Sequence, residues 1–111
     1  ENIGFIQDAL EHDGHKVETF LEGSVALQKI AENPPDFVLL DLEMPGMNGL
    51  EVLREIRKEV RFSTILVIIV SAHPKEEVED ESVAAGANEV MSKPLRLRLL
   101  RETLLSLKGI K

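Results

Sequence analysis

Three residues able to take part in chemistry stand at comparable places along the chain. Asp41 follows the apolar run Phe37-Val38-Leu39-Leu40, Ser71 follows Ile65 to Val70, and Lys93 follows the short stretch from Asn88 to Met91 and one serine. Each alone has a plainer use: an Asp after a strand caps a turn, a Ser starts a helix, a Lys before a Pro is a solvated charge. Together they supply a carboxylate nucleophile, a hydroxyl donor and a cation. Phosphoryl transfer needs that set: an attacking oxygen, donors for the equatorial oxygens, and positive charge to hold them.

The spacing matters only if these residues sit at the ends of strands in one sheet, and the hydrophobic pattern predicts that they do. Ile3, Ile6 and Leu10, with Phe5 and Ala9 beside them, form one helical face, and Gly14 ends it. A short strand over Val17 to Leu21 follows. Ala26, Leu27 and Ile30 mark a second helix, stopped by Pro34 and Pro35. After the Phe37 to Asp41 strand and a Pro- and Gly-containing loop, Asn48 with Glu51 is a helix-start signal, and Leu50, Leu53 and Ile56 share a face. Ile65 to Val70 has the composition of a strand buried on both sides. Pro74 opens a fourth helix and Gly86 closes it. Asn88 to Met91 is a strand, and Leu95 to Leu107 is the last helix. Alternating strands and helices of these lengths imply a doubly wound α/β fold with a parallel sheet, in which ligands sit beyond the carboxyl ends of the strands.

Composition narrows the function. The 111 residues suit one domain, 43% of them hydrophobic and 30% charged. A net charge of −7 argues against binding of nucleic acid by this domain. The absence of cysteine excludes disulfides and thiolate zinc sites and fits the cytoplasm. No apolar run approaches the roughly 20 residues of a membrane helix.

The stretch Phe37-Val-Leu-Leu-Asp41-Leu-Glu-Met-Pro-Gly-Met-Asn-Gly49 closely resembles the phosphoacceptor segment of response regulator receiver domains. Ser71-Ala72, Gly86-Ala87 and Ser92-Lys93-Pro94 resemble that family's hydroxyl and lysine motifs. The resemblance runs from Glu1 to about Leu107. It implies a flavodoxin-like sheet of order 2-1-3-4-5. It also implies phosphorylation of Asp41 by a histidine kinase or phosphotransfer protein, with Ser71 and Lys93 contacting the phosphoryl group. The backbone carbonyl of Glu43 and Asp41 would be Mg²⁺ ligands, and Lys93–Pro94 is a candidate cis bond. Glu43 and His73 occupy positions that flank the phosphoryl group and tune its hydrolysis.

Two departures stand out. Receivers open on a central strand ending in an acidic pair that holds Mg²⁺. Here Glu1 already lies at the entrance of the first helix, so the reading is a single, N-terminally incomplete domain over residues 1–111. Weak Mg²⁺ binding is expected, with Glu1 a poor substitute, and the Val17 strand is expected to lose its neighbour. Val90 also stands where the family usually has a rotating aromatic.

His12 and His15 read as solvated. The acidic helix from Pro74 and the basic, leucine-rich helix from Leu95, which carries Arg96, Arg98 and Arg101, lie where receivers dimerise or meet an output partner. The leading expectation is a non-enzymatic signalling module. The alternatives are a degenerate receiver working without phosphate and a haloacid-dehalogenase-type enzyme, which also attacks through a strand-end Asp.

Overall fold

The computed structural model describes residues 3–14, 17–20, 23–43 and 48–107. Chain order is α1 (Ile3–His12), β1 (Val17–Phe20), α2 (Gly23–Glu32), β2 (Phe37–Asp41), α3 (Gly49–Lys58), a 3₁₀ turn (Val60–Phe62), β3 (Leu66–Ser71), α4 (Lys75–Ala85), β4 (Glu89–Ser92) and α5 (Leu97–Leu107). All three strand pairings are parallel, and the sheet order is β1-β2-β3-β4.

Alternation along the strands explains the two cores. Val38 and Leu40, Val67 and Ile69, and Val90 face one side, where they pack with Ala26 and Ile30 of α2 and with Val52, Leu53 and Ile56 of α3. Phe37 and Leu39, Ile68 and Val70, and Met91 face the other side, with Ile6 and Leu10 of α1 and Leu100 and Leu104 of α5. The sheet order follows the chain order, so the three crossover helices α2, α3 and α4 fall on one face, as right-handed crossovers require. Helices α1 and α5 join no two adjacent strands and cover the other face. Burial of the middle strands on both sides is why they read as continuous apolar runs.

One expectation is corrected. The Val17 strand keeps a partner: β1 pairs directly with β2, Val17 opposite Phe37 through Phe20 opposite Leu40. The described residues contain no strand between them, and the order is that of 2-1-3-4-5 with strand 1 left out, 2-3-4-5. The physical reason is that backbone donors and acceptors beside an apolar sheet edge need partners, and β2 offers the nearest ladder.

The local signals predicted for the helices hold. Asn48 accepts from the Glu51 backbone N–H while the Glu51 side chain accepts from the Asn48 N–H, a complete capping box that starts α3. Helix α4 begins after Pro74 and ends at Gly86, whose φ of 113° lies in the left-handed region. Gly14, after α1, has φ 94°. Leu21, His15 and the Met44-Pro45-Gly46 loop fall outside the described residues.

Behind α3, Arg57 acts as a clamp. Its Nε donates to the Gly86 carbonyl at 3.1 Å, Nη1 to the Phe62 carbonyl at 3.2 Å and Nη2 to Asn88 Oδ1 at 2.9 Å. Burial lowers the affinity of this guanidinium for its proton. Asn88 Oδ1 also accepts from the Val67 N–H at 2.8 Å, so one amide ties α3, β3 and the α4–β4 turn.

Two substitutions test this packing. A Cβ on Gly49 would lie 2.6 Å from the Asp41 carbonyl oxygen, which is main chain and has nowhere to go. Gly49→Ala should therefore destabilise the chain by about 1–3 kcal/mol, read from the urea midpoint. The Ser82 hydroxyl is fully buried in α4 with no hydrogen-bond partner. Ser82→Ala should stabilise by roughly 1 kcal/mol, and a lower urea midpoint would contradict that account.

Candidate functional site

The parallel register brings the ends of β2, β3 and β4 together. Asp41 is opposite Val70, and Ser71 is opposite Ser92. The ladder continues past the strands: the Leu42 N–H donates to the Val70 carbonyl and the Lys93 N–H to the Ser71 carbonyl, both at 2.8 Å. The three residues singled out by type therefore project from one rim of the sheet.

Asp41 and Lys93 meet directly. Lys93 Nζ lies 2.5 Å from Asp41 Oδ2, and the Glu43 backbone N–H donates to Asp41 Oδ1 at 3.0 Å. The Asp41 side chain is 20% exposed and that of Lys93 37% exposed, so the pair is sheltered on the sheet side and open to a reactant from above. The Lys93–Pro94 peptide bond is cis, as its sequence predicts. Gly49 completes the floor: its N–H donates to the Leu42 carbonyl at 3.1 Å, which brings the start of α3 against the Asp41 main chain.

Ser71 does not touch Asp41. Its buried hydroxyl donates to Glu43 Oε2 at 3.0 Å and accepts from the His73 N–H at 3.0 Å. The other oxygen of the same carboxylate, Glu43 Oε1, accepts from the Ala72 N–H at 3.0 Å. The His73 ring is exposed, with Nδ1 4.0 Å from Glu77 Oε2, and its carbonyl accepts from Ser92 Oγ at 3.2 Å. Val90 is away from this rim, buried in the core beneath α3 and α4.

Beside the rim, Lys75 at the start of α4 reaches Glu89 of β4 at 3.1 Å and Glu79 at 3.4 Å. The hydrogen bond to Glu89 holds this ammonium above its ordinary value, so it stays charged at any physiological pH. A shallow cavity between α4, β4 and α5 is lined by Lys75, Glu89, Met91, Leu99 and Thr103. Leu99 and Leu105 are exposed on the leucine-rich α5.

The rim fits Mg²⁺ poorly by itself. Among the described residues no group of three or more His, Cys, Asp or Glu side chains could hold a metal ion. Asp41 and the Glu43 carbonyl are the protein ligands on offer, and both Asp41 oxygens already accept hydrogen bonds. Mg²⁺ prefers octahedral oxygen ligation and would here depend mainly on water and reactant oxygens. Glu1 lies outside the described residues.

Sequence reasoning placed Asp41, Ser71 and Lys93 at this rim and named Glu43 as a position that tunes phosphoryl hydrolysis, but it did not foresee the contacts of the Glu43 carboxylate with the Ser71 hydroxyl and the Ala72 N–H. The available signal was an acidic side chain two residues after the strand-end Asp, long enough to cross to the next strand. It also missed the close approach at Gly49, signalled only by a Gly directly after a helix cap.

Comparison with known proteins gives this rim a context. The sequence matches the family model of the response regulator receiver domain over residues 1–105. It is 36% identical over 93 residues to the autoinducer 2 sensor kinase/phosphatase LuxQ of Vibrio vulnificus, covering 84% of this chain and 11% of that protein. It is 35% identical over 103 residues to the KDP operon transcriptional regulatory protein KdpE of Escherichia coli, covering 90% of this chain and 43% of that protein. The crystal structure of the receiver domain of NtrX from Brucella abortus superimposes with a TM-score of 0.80 at 25% identity, covering 96% of this chain and 89% of that one. The chain spans less than half the length of both curated relatives. Among the described residues no helix is long and apolar enough to cross a membrane. With its parallel sheet, its strand-end Asp–Lys pair and a family match over nearly its whole length, the chain belongs to the response regulator receiver domain family.

Proposed function

We propose that this chain is a phosphoacceptor module of two-component signalling, with Asp41 as the residue that takes the phosphoryl group. The observation that carries this reading is the contact of Lys93 Nζ with Asp41 Oδ2 at the joined strand ends, in a member of this family. An oxygen of Asp41 attacks phosphorus in line. The bond from phosphorus to the donor atom, the imidazole nitrogen of a phosphohistidine on a kinase or phosphotransfer protein, breaks as the acyl phosphate forms. The imidazole leaves with its electron pair and takes a proton from solvent. Lys93 balances charge on the transferred oxygens. Asp41 and the Glu43 carbonyl would be the residues to hold Mg²⁺, which would supply further positive charge at the rim. The domain carries out no turnover of a small substrate; it is itself the acceptor.

The phosphoryl group brings about −1.5 to −2 charge to a rim whose nearest cation is Lys93. Its effect passes into α4. That helix buries only Ser82 fully, and its partly buried apolar contacts are chiefly Val78 and Ala85. Few buried contacts mean a low cost of local opening. The face formed by α4, β4 and α5, with its cavity and the exposed Leu99, is the surface for a second copy or an output partner. Val90 is aliphatic, so the response does not use an aromatic rotor at that position. The setting is cytoplasmic, and the acidic domain itself does not bind nucleic acid. A second reading, a partner-binding receiver that works without phosphate, is favoured by the thin ligand set for Mg²⁺.

Incubation with a small acyl phosphate donor should add a single phosphoryl mass to the chain. The reaction should need Mg²⁺ in large excess over protein and should not occur in Asp41→Asn. Intact-mass spectra check this: equal labelling of both proteins would refute the assignment of Asp41, and no labelling of either would favour the phosphate-independent reading. Beryllofluoride, a phosphoryl mimic, should change amide hydrogen exchange mainly between Ser71 and Gly86. Changes confined to α1 and α2 would contradict the proposed route through α4.

A further inference from the structure

We infer that the Glu43 carboxylate is an internal occupant of the oxyanion donors at this rim and must vacate them before a phosphoryl group on Asp41 can use them. The inference rests on the reading of Asp41 as the phosphoacceptor. It follows from counting donors. A serine hydroxyl has one proton to give. Ser71 gives it to Glu43 Oε2, and the lone pair it has committed goes to the His73 N–H. The adjacent Ala72 N–H is committed to Glu43 Oε1. Both donors at the end of β3 are thus spent on one carboxylate, each at 3.0 Å, and that carboxylate belongs to a residue whose own N–H holds Asp41.

The geometry is that of an anion site filled from within. A planar carboxylate bridges a hydroxyl and a neighbouring backbone N–H, as two oxygens of a phosphoryl group would. Ser71 is fully buried and cannot turn to another acceptor without giving up this one. Glu43 is exposed, so the carboxylate can swing into water at little desolvation cost. A doubly charged group arriving on Asp41 would also repel it. Phosphorylation is then an exchange of anions at fixed donors. Glu43 is a positioning residue: it holds Ser71 and Ala72 in the conformation that receives the phosphoryl group, and it slows entry by occupying them.

Two variants separate occupancy from simple charge repulsion. Glu43→Ala removes both the charge and the contact. Glu43→Asp keeps the charge but is one methylene shorter and cannot span both donors. In the unphosphorylated chain, the Ala72 amide should exchange with solvent roughly threefold faster or more in both variants than in the unaltered protein. Labelling of Asp41 by the acyl phosphate donor, with Mg²⁺ in excess, should also accelerate roughly threefold or more in both. Acceleration in Glu43→Ala with no change in Glu43→Asp would assign the effect to charge and overturn the proposal. Equal labelling rates in all three proteins would overturn it while leaving Asp41 as the acceptor. Absence of any Asp41-dependent label would overturn the phosphoacceptor reading and the competition with it.

Discussion

Everything at the rim depends on the register of three parallel strands. Side chains cannot bring an Asp, a Ser and a Lys separated by 30 and 22 residues into one cluster unless the main chain delivers them there. The ladder does so, with Leu42 bonded to Val70 and Lys93 bonded to Ser71 just past the strand ends. A shift of one residue in any strand would turn its apolar residues to the wrong face and its terminal polar residue away from the others. The two apolar cores hold the register by burying alternate residues of β2 and β3 on opposite sides. The chemistry of the rim is therefore secured from below, by residues that never touch a reactant.

Above that scaffold the polar groups form a chain of commitments. Lys93 is held by Asp41, Asp41 by the Glu43 N–H, and the Glu43 side chain by Ser71 and Ala72. Each member has a partner in the resting arrangement, which limits the penalty that a half-buried polar cluster otherwise carries. Any anion added to Asp41 has to be accommodated by rearranging these bonds. Helix α4 follows directly from Ser71 through His73 and Pro74, so it lies nearest to that rearrangement along the chain.

Much of this was legible in the sequence, and the reasons differ by element. β2, β3 and α3 carry unbroken periodicity with strong end signals, such as the Asn48–Glu51 box and the Pro74 and Gly86 boundaries, and they lie where the pattern puts them. The positions of Asp41, Ser71 and Lys93 followed because a strand-end residue is located once its strand is. What stayed hidden was pairing between distant groups. The contact of β1 with β2 leaves no mark on either strand's own alternation. The Glu43–Ser71 and Arg57–Asn88 bonds span 28 and 31 residues and have no period to announce them. An exposed Glu and a helical Arg look the same in sequence whether they are solvated or clamped.

The acceptors of the Arg57 clamp have a consequence of their own. It binds two carbonyls and an amide oxygen, all uncharged. Ionic strength weakens attraction between opposite charges far more than hydrogen bonds to neutral oxygens. The seam between α3 and the α4–β4 turn is thus indifferent to the salt and acidity that govern the surface pairs on α4, such as Arg54 with Glu81. A lysine there would keep the positive charge yet could not reach three acceptors set in a planar fork. The turn after helix α4 is therefore anchored through uncharged acceptors, while the end beside the rim carries ionic pairs such as Lys75 with Glu79 that salt does weaken.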